Sequence, residues 1–383
     1  SVLGAAAGLA CEAAYENVDD ACAANEALPA LPCDSGHQSD YCLCRGAASG
    51  SGGGSATGGA GSGGGGSGGS GSGGSGSGDC NDIVDQPILE VAKNGSGDFT
   101  TVQAALNGIS KSNTTPTVIR IAPGTYTEKL IVDRPHVTLC GQTGRAGDTI
   151  LSYGDGASTS NGNGGTLGTS GSASVNISAS NISAENLTFA NSKGAGVQAV
   201  ALLVSGNQVQ FRDCRFTGHQ DTLYVKNGTQ YFKDCYVEGT VDFIFGGATA
   251  VFDECTIHSV SGGSAITAPS TDIATPFGLV FLGGEVTAAS GVKSNSIALG
   301  RNWHAYGSTT FLETELGAHV SAVGWIPMGT NTLATARFAE FETTGPGAKP
   351  SQRASESSQL SASEAAEFTV DDIFGAWDPS FSH

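Results

Sequence analysis

The chain has 383 residues, 39% of them hydrophobic, which is length for two or three domains and for a large core. Its 36 acidic against 17 basic side chains give a net charge of −19, which argues against nucleic acid or an anionic membrane surface as partner. No apolar run reaches the about 18 residues of a spanning helix, so no membrane segment is expected.

In chain order, SVLGAAAGLA reads as the small-residue end of a processed targeting segment, although it lacks a basic start. Residues 1–45 then carry Cys11, Cys22, Cys33, Cys42 and Cys44 in a stretch too short for its own core, so disulfides must hold it. Five is odd, and Cys80 is the nearest outside partner. A polymer-binding module and a stapled remnant are both compatible with that composition. Residues 46–79 are Gly/Ser/Ala-rich and bury nothing, which predicts a disordered linker spanning roughly 30 Å. None of the ten cysteines forms a CxxC pair, so no metal site is expected. The cysteines and six N-x-S/T acceptors, at Asn94, Asn113, Asn176, Asn181, Asn186 and Asn227, favour a secreted glycoprotein.

From Ile88 onward, short Val/Ile/Phe/Tyr runs alternate with Gly/Asn/Ser turns, so residues 80–383 are expected to form one all-β domain. TTVQAALNGI has a capping Thr and helical apolar spacing, which predicts a short helix closing one end of a stack. The segments VQFRDCRF, QYFKDCYV and AVFDECTI repeat one pattern: aromatic, any, acidic, Cys, any, apolar. Their cysteines, Cys214, Cys235 and Cys255, fall 21 and then 20 residues apart, one coil of a solenoid. A right-handed parallel β-helix is the architecture this period supports. The three cysteines would line an inward ladder, either as buried thiols or with one bridge among them.

Within GHQDTLYVKNGTQYFKDCYVEGTVDFIFG (218–246), Asp221 and Asp242 are also 21 apart, on equivalent rungs of neighbouring coils. Strands pair about 4.8 Å apart, which brings the carboxylates within working distance. A lone aspartate at a solenoid turn usually only caps the coil. Two stacked carboxylates cannot both ionise cheaply, which separates an acid from a nucleophile or base. That pair suits a retaining glycosidase as well as an acyl-transfer enzyme. Gln220 precedes Asp221, and Gln198 lies 22 residues earlier, so two amide donors share one face. Such donors suit an oxyanion and give an oxocarbenium ion little. Arg301, in LGRNW, supplies a cation to hold one aspartate ionised.

GTYTEKL (124–130), QAVAL (198–202), GHQDTLY (218–224), GTVDFIFG (239–246) and LGRNW (299–303) resemble, in order, the five signature regions of pectin methylesterases. GWIPM (324–328) and FETTGPGA (341–348) extend the likeness over about residues 88–383. The resemblance implies a right-handed parallel β-helix of the pectin-lyase-like kind, with its site in a surface cleft. It implies a secreted esterase acting at the cell wall on the C6 methyl ester of galacturonate in pectin, with neither metal nor cofactor needed, and a monomer is the default expected of a capped solenoid. Asp242 would be the nucleophile and Asp221 the general acid and then base. Gln198 and Gln220 would hold the oxyanion, and Arg301 would bond Asp242. Tyr224, Phe245, Trp303 and Trp325 match the aromatic wall for the sugars. Tyr126 and Glu128 match the first motif but are expected only to shape the coil.

The chain departs from that pattern at three places. Asn302 stands where many relatives have Pro, and His219 where Tyr is common in plant members. The plant partners of Cys214 and Cys255 correspond here to Leu187 and Gly284, so the plant disulfides do not carry over. A galacturonan backbone hydrolase or lyase is the competing class. GHQ in place of a Gly-His-Gly turn, and no calcium-type acidic cluster, argue against it. An inactive binding protein is disfavoured by the intact reactive positions, while an esterase tuned to another ester remains compatible with the sequence. The charge of −19 predicts repulsion from de-esterified pectin, hence a preference for highly methylated chains that weakens with salt.

Overall fold

The computed structural model describes residues 80–379 and Phe381. The expectations for the Cys-rich segment and the linker lie outside these residues.

Three parallel sheets wind around one core, of eleven, eight and eight strands, and the chain visits each sheet once per coil. One coil runs Val209–Arg212, Arg215–Thr217, Leu223–Val225, and the next Thr229–Lys233, Tyr236–Gly239, Ile244–Gly246. Each strand pairs in parallel with its equivalent one coil on, as in Phe211 with Phe232 and Leu223 with Ile244. The architecture is the parallel β-helix that the repeat predicts.

The coil motif now has a physical reading. Its aromatic position builds a stack inside the core, where Phe211, Phe232, Phe252, Phe281 and Phe311 follow one another at 4.7, 4.6, 4.7 and 4.2 Å between ring centroids. Those spacings are close to the inter-strand repeat, so the rings inherit the backbone's register. The acidic position, Asp213, Asp234 and Glu254, turns the corner with φ of 52° at each. That region is costly for most L-residues and tolerated best by Asp and Asn, so Glu254 keeps the corner at some strain. The cysteine position faces inward. Cys214, Cys235 and Cys255 are free and buried, each with its thiol near a carbonyl of the preceding coil. Burial pushes the Cys235 thiol far above its ordinary value, and its two neighbours in the ladder push the same way, which keeps it protonated and inert.

One cysteine expectation is corrected. Cys80 pairs with Cys140, with 5.9 Å between their Cα atoms, and so fastens the start of the domain to the strand Val137–Gly141. Cys80 is therefore not available to Cys11, Cys22, Cys33, Cys42 or Cys44. Leu187 and Gly284 do lie on the rungs next to Cys214 and Cys255: the Arg215 amide bonds Leu187 O, and the Glu285 amide bonds Cys255 O.

The end helix forms as expected over Val102–Gly108, with the Thr101 hydroxyl accepting from the Ala104 amide. Glu128 completes the cap. Its carboxylate accepts from the amides of Val102 and Gln103 at 3.0 and 3.1 Å, placing negative charge where the helix leaves its N–H groups unpaired. Tyr126 is buried and donates to the Ala122 carbonyl. Both shape the coil, as the sequence suggested.

Among the six glycosylation acceptors, Asn186 is buried, and Asn113 spends its amide on the carbonyls of Thr115 and Pro135. Asn176 is half-buried, and Asn94, Asn181 and Asn227 are exposed.

Near the C-terminus, Arg353 bonds both oxygens of Glu340 at 2.6 and 3.0 Å, with both side chains 2% exposed or less. The same guanidinium donates to the carbonyls of Ser321, Ala322 and Gly347. Removing it leaves a buried carboxylate without its charge partner. Arg353→Ala is expected to lose about 3–5 kcal/mol of stability in denaturant unfolding.

Candidate active site

The cleft lies on the outer face of the sheet that contains Leu223–Val225, Ile244–Gly246 and Ala298–Arg301. Strand alternation sends Leu223 and Ile244 into the core and leaves Tyr224, Phe245, Ala268 and Arg301 in one outward row across neighbouring strands. Tyr224 and Phe245 stack at 4.2 Å, and Trp303 leans over both at 6.2 and 5.8 Å. Tyr224 and Phe245 are largely buried in a small apolar cluster on this outer face, separate from the main core, with Trp303 packed against it.

Asp221 and Asp242 stand just before the strands that carry Tyr224 and Phe245. Both sit in the left-handed region, with φ of 63° and 49°, which turns each side chain out at the sheet's edge. Their backbones are fixed by the ladder: the Asp221 amide bonds Val241 O and the Asp242 amide bonds Ala265 O. Arg301 grips Asp242 in a fork, Nε to Oδ1 at 2.9 Å and Nη2 to Oδ2 at 2.7 Å. A bidentate guanidinium fixes the orientation of that carboxylate. A cavity of about 370 Å³ is lined by Gln220, Asp221, Tyr224, Asp242, Phe245, Arg301 and Trp303. Seven of the nine residues expected at the site therefore line one cavity.

The other two do not line it. Gln198 is buried on the rung next to Gln220, where the Ala199 amide bonds Gln220 O. Trp325 is corrected: it is 1% exposed, belongs to the main core and stacks on Phe338 at 4.4 Å, so it is unavailable to a sugar.

The structure also brings in residues that sequence reasoning left out. Leu167, Gly168, Thr169, Ser170 and Met328 also line the cavity. The first four sit in a Gly/Ser/Thr-rich segment without periodicity. Lys129, inside GTYTEKL, ties this segment down, with Nζ 2.5 Å from Asp155 Oδ2 and 2.6 Å from Gly171 O. Asn302 is buried and donates to Thr332 O, while Asn331 donates to Trp303 O, so the loop after Met328 is laced to the aromatic wall. His219 lines a different pocket, with Asn191 and Glu238. No group of three or more metal-ligating side chains occurs among the described residues.

Residues 88–376 match the family model described as Pectinesterase. The chain belongs to the pectinesterase family. Pectinesterase 31 of Arabidopsis thaliana is 36% identical over 290 residues, 73% of this chain and 90% of that protein. The pectin methylesterase from carrot superposes with a TM-score of 0.71 at 31% identity, covering 79% of this chain and 98% of that one. A crystal structure of a pectin methylesterase in complex with a hexasaccharide matches with a TM-score of 0.69 at 32% identity, over 76% and 98% of the two chains. Pectinesterases are carboxylic ester hydrolases. The matched region starts at Ile88, where the strand pattern begins, and leaves residues 1–87 outside it.

Proposed function

We propose that this pectinesterase removes methyl groups from the C6 carboxyls of galacturonate units in pectin, releasing methanol and pectate, through an acyl-enzyme on Asp242. The observation that carries the reading is the fork of Arg301 on Asp242 in a cavity that also holds Asp221. A carboxylate gripped and aimed in this way suits a nucleophile, and a second carboxyl in the same cavity suits a proton shuttle.

Asp242 attacks the ester carbonyl, and the negative charge moves to the carbonyl oxygen. The amide of Gln220, with Gln198 from the neighbouring rung, stabilises that oxyanion. The tetrahedral species collapses, the C–O bond to the methoxy group breaks, and Asp221 gives its proton to the departing oxygen, releasing methanol. Asp221 then takes a proton from water as that water attacks the anhydride. The galacturonate carboxylate departs and Asp242 is regenerated. Tyr224, Phe245 and Trp303 receive the sugar rings, and no cofactor enters any step. A capped solenoid of this kind acts as a monomer outside the cell, where the exposed Asn94, Asn181 and Asn227 are open to glycosylation.

The deciding experiment incubates the full chain with methylated pectin and follows methanol and polymer length together. Methanol at constant length is expected. Shortening of the polymer without methanol would move the protein to the backbone-cleaving class.

A further inference from the structure

Trp325, kept out of the cleft by its burial, packs inside the core beside the strand that carries Arg301. Ile244, Thr267, Gly300 and Trp325 form one inner row across four neighbouring strands. Phe245, Ala268, Arg301 and Ile326, each one position further on, face the other way. Gly300 is the one member of the inner row without a side chain, and its neighbours occupy the space. A Cβ there would lie 2.4 Å from Thr267 Oγ1 and 3.0 and 3.3 Å from Cζ3 and Cε3 of Trp325. Gly300 does not adopt a positive φ, so space rather than backbone conformation calls for glycine.

The row is braced on both sides. The Thr267 hydroxyl donates to the Leu299 carbonyl at 2.9 Å, which ties the Arg301 strand from within. Phe338 stacks on Trp325 at 4.4 Å, and Phe311 of the core stack tilts against it at 6.1 Å. The indole N–H has no hydrogen-bond partner among the described residues, so this position uses the bulk of the ring and not its polar edge. Such packing fixes what the ladder leaves free. Backbone hydrogen bonds set the distance between rungs, whereas the depth of a strand, toward or away from the core, is set by the side chains beneath it. Arg301 depends on that depth. Its guanidinium reaches Asp242 across the intervening coil, which carries Ala268, through bonds of 2.9 and 2.7 Å. A displacement of about 1 Å stretches bonds of that length past hydrogen-bonding range.

We propose that Trp325 is a positioning residue for the reaction: packed against Gly300, its ring holds the strand Ala298–Arg301 at the depth where the Arg301 fork meets Asp242. The proposal rests on the esterase reading above and gives Trp325 its role from inside the core. That role and a sugar-contacting one separate in kinetics. A residue that only receives sugar acts on KM, and one that aims the Arg301–Asp242 pair acts on kcat.

The test measures kcat and KM for methanol release from methylated pectin with the full chain, as wild type, Trp325→Phe, Gly300→Ala and the double variant, each well below its melting temperature. Gly300→Ala pushes ring and strand apart and is expected to lower kcat about 100-fold, the scale of a 1 Å misplacement. Trp325→Phe keeps an aromatic ring of smaller reach and is expected to lower kcat about tenfold, a part of that scale, with KM within about twofold. Because the smaller ring makes room for the new methyl group, the double variant should lose less than the product of the two single losses. Trp325→Phe with the wild-type kcat, or with a change in KM alone, overturns the positioning role, and so do losses that multiply in full. If Gly300→Ala fails to fold, the kcat and KM of Trp325→Phe decide. No methanol from the wild type overturns the esterase reading and this role with it.

Discussion

Asp242→Asn is expected to lower methanol release by on the order of 10⁴-fold or more, the scale seen when a nucleophile is removed from a catalytic group that acts as a unit. Asn is nearly isosteric with Asp and tolerates the left-handed backbone at this corner, where φ is 49°. The amide bond to Ala265 O is untouched. What is lost is the attacking carboxylate and the partner of Arg301, whose fork then meets a neutral amide. Circular dichroism should therefore show an intact fold with a modestly lower melting temperature. A variant within tenfold of the wild type on methylated pectin would take the nucleophile's role from Asp242.

Asp221→Asn should cost about 10²- to 10⁴-fold, the usual scale for one general acid–base group. Its two duties can be separated by the leaving group. Methoxide needs a proton to depart, but a nitrophenolate does not. On a nitrophenyl ester of galacturonic acid, Asp221→Asn should release a burst of about one equivalent of nitrophenolate and then stall, because water attack on the anhydride still lacks its base. Rapid mixing reads the burst directly. Multiple turnovers at the wild-type rate on this ester would mean that Asp221 takes no part in the second half of the reaction.

The coil was legible because parallel winding stamps a period on the chain. Phe211, Phe232 and Phe252 must stack, Asp213, Asp234 and Glu254 must turn, and Cys214, Cys235 and Cys255 must fit inside, so all three recur together. The same period placed Asp221 and Asp242 on neighbouring rungs. Other features left no such mark. Trp325 lies in a strand of two residues, Trp325–Ile326, too short for alternation to say which side faces inward. The Cys80–Cys140 bridge joins positions 60 residues apart, with Cys80 outside the repeat. Thr169 and Ser170 reach the cavity through a segment pinned by Lys129, a tertiary contact that local sequence does not encode.

Because Asp221 and Asp242 occupy consecutive coils, the β-ladder acts as a ruler for the chemistry, with its graduation set by backbone hydrogen bonds rather than by side-chain packing. Drift of a surface loop cannot alter a distance measured in whole rungs. The smallest change available is one complete turn of about 21 residues, which would move the pair from about 4.8 to about 9.6 Å apart. At that spacing one carboxyl no longer hands a proton to a group leaving the other, and a water molecule fits between them. Evolution of this scaffold is thus free to vary the cleft's walls continuously, while the number of rungs between Asp221 and Asp242 changes only in steps.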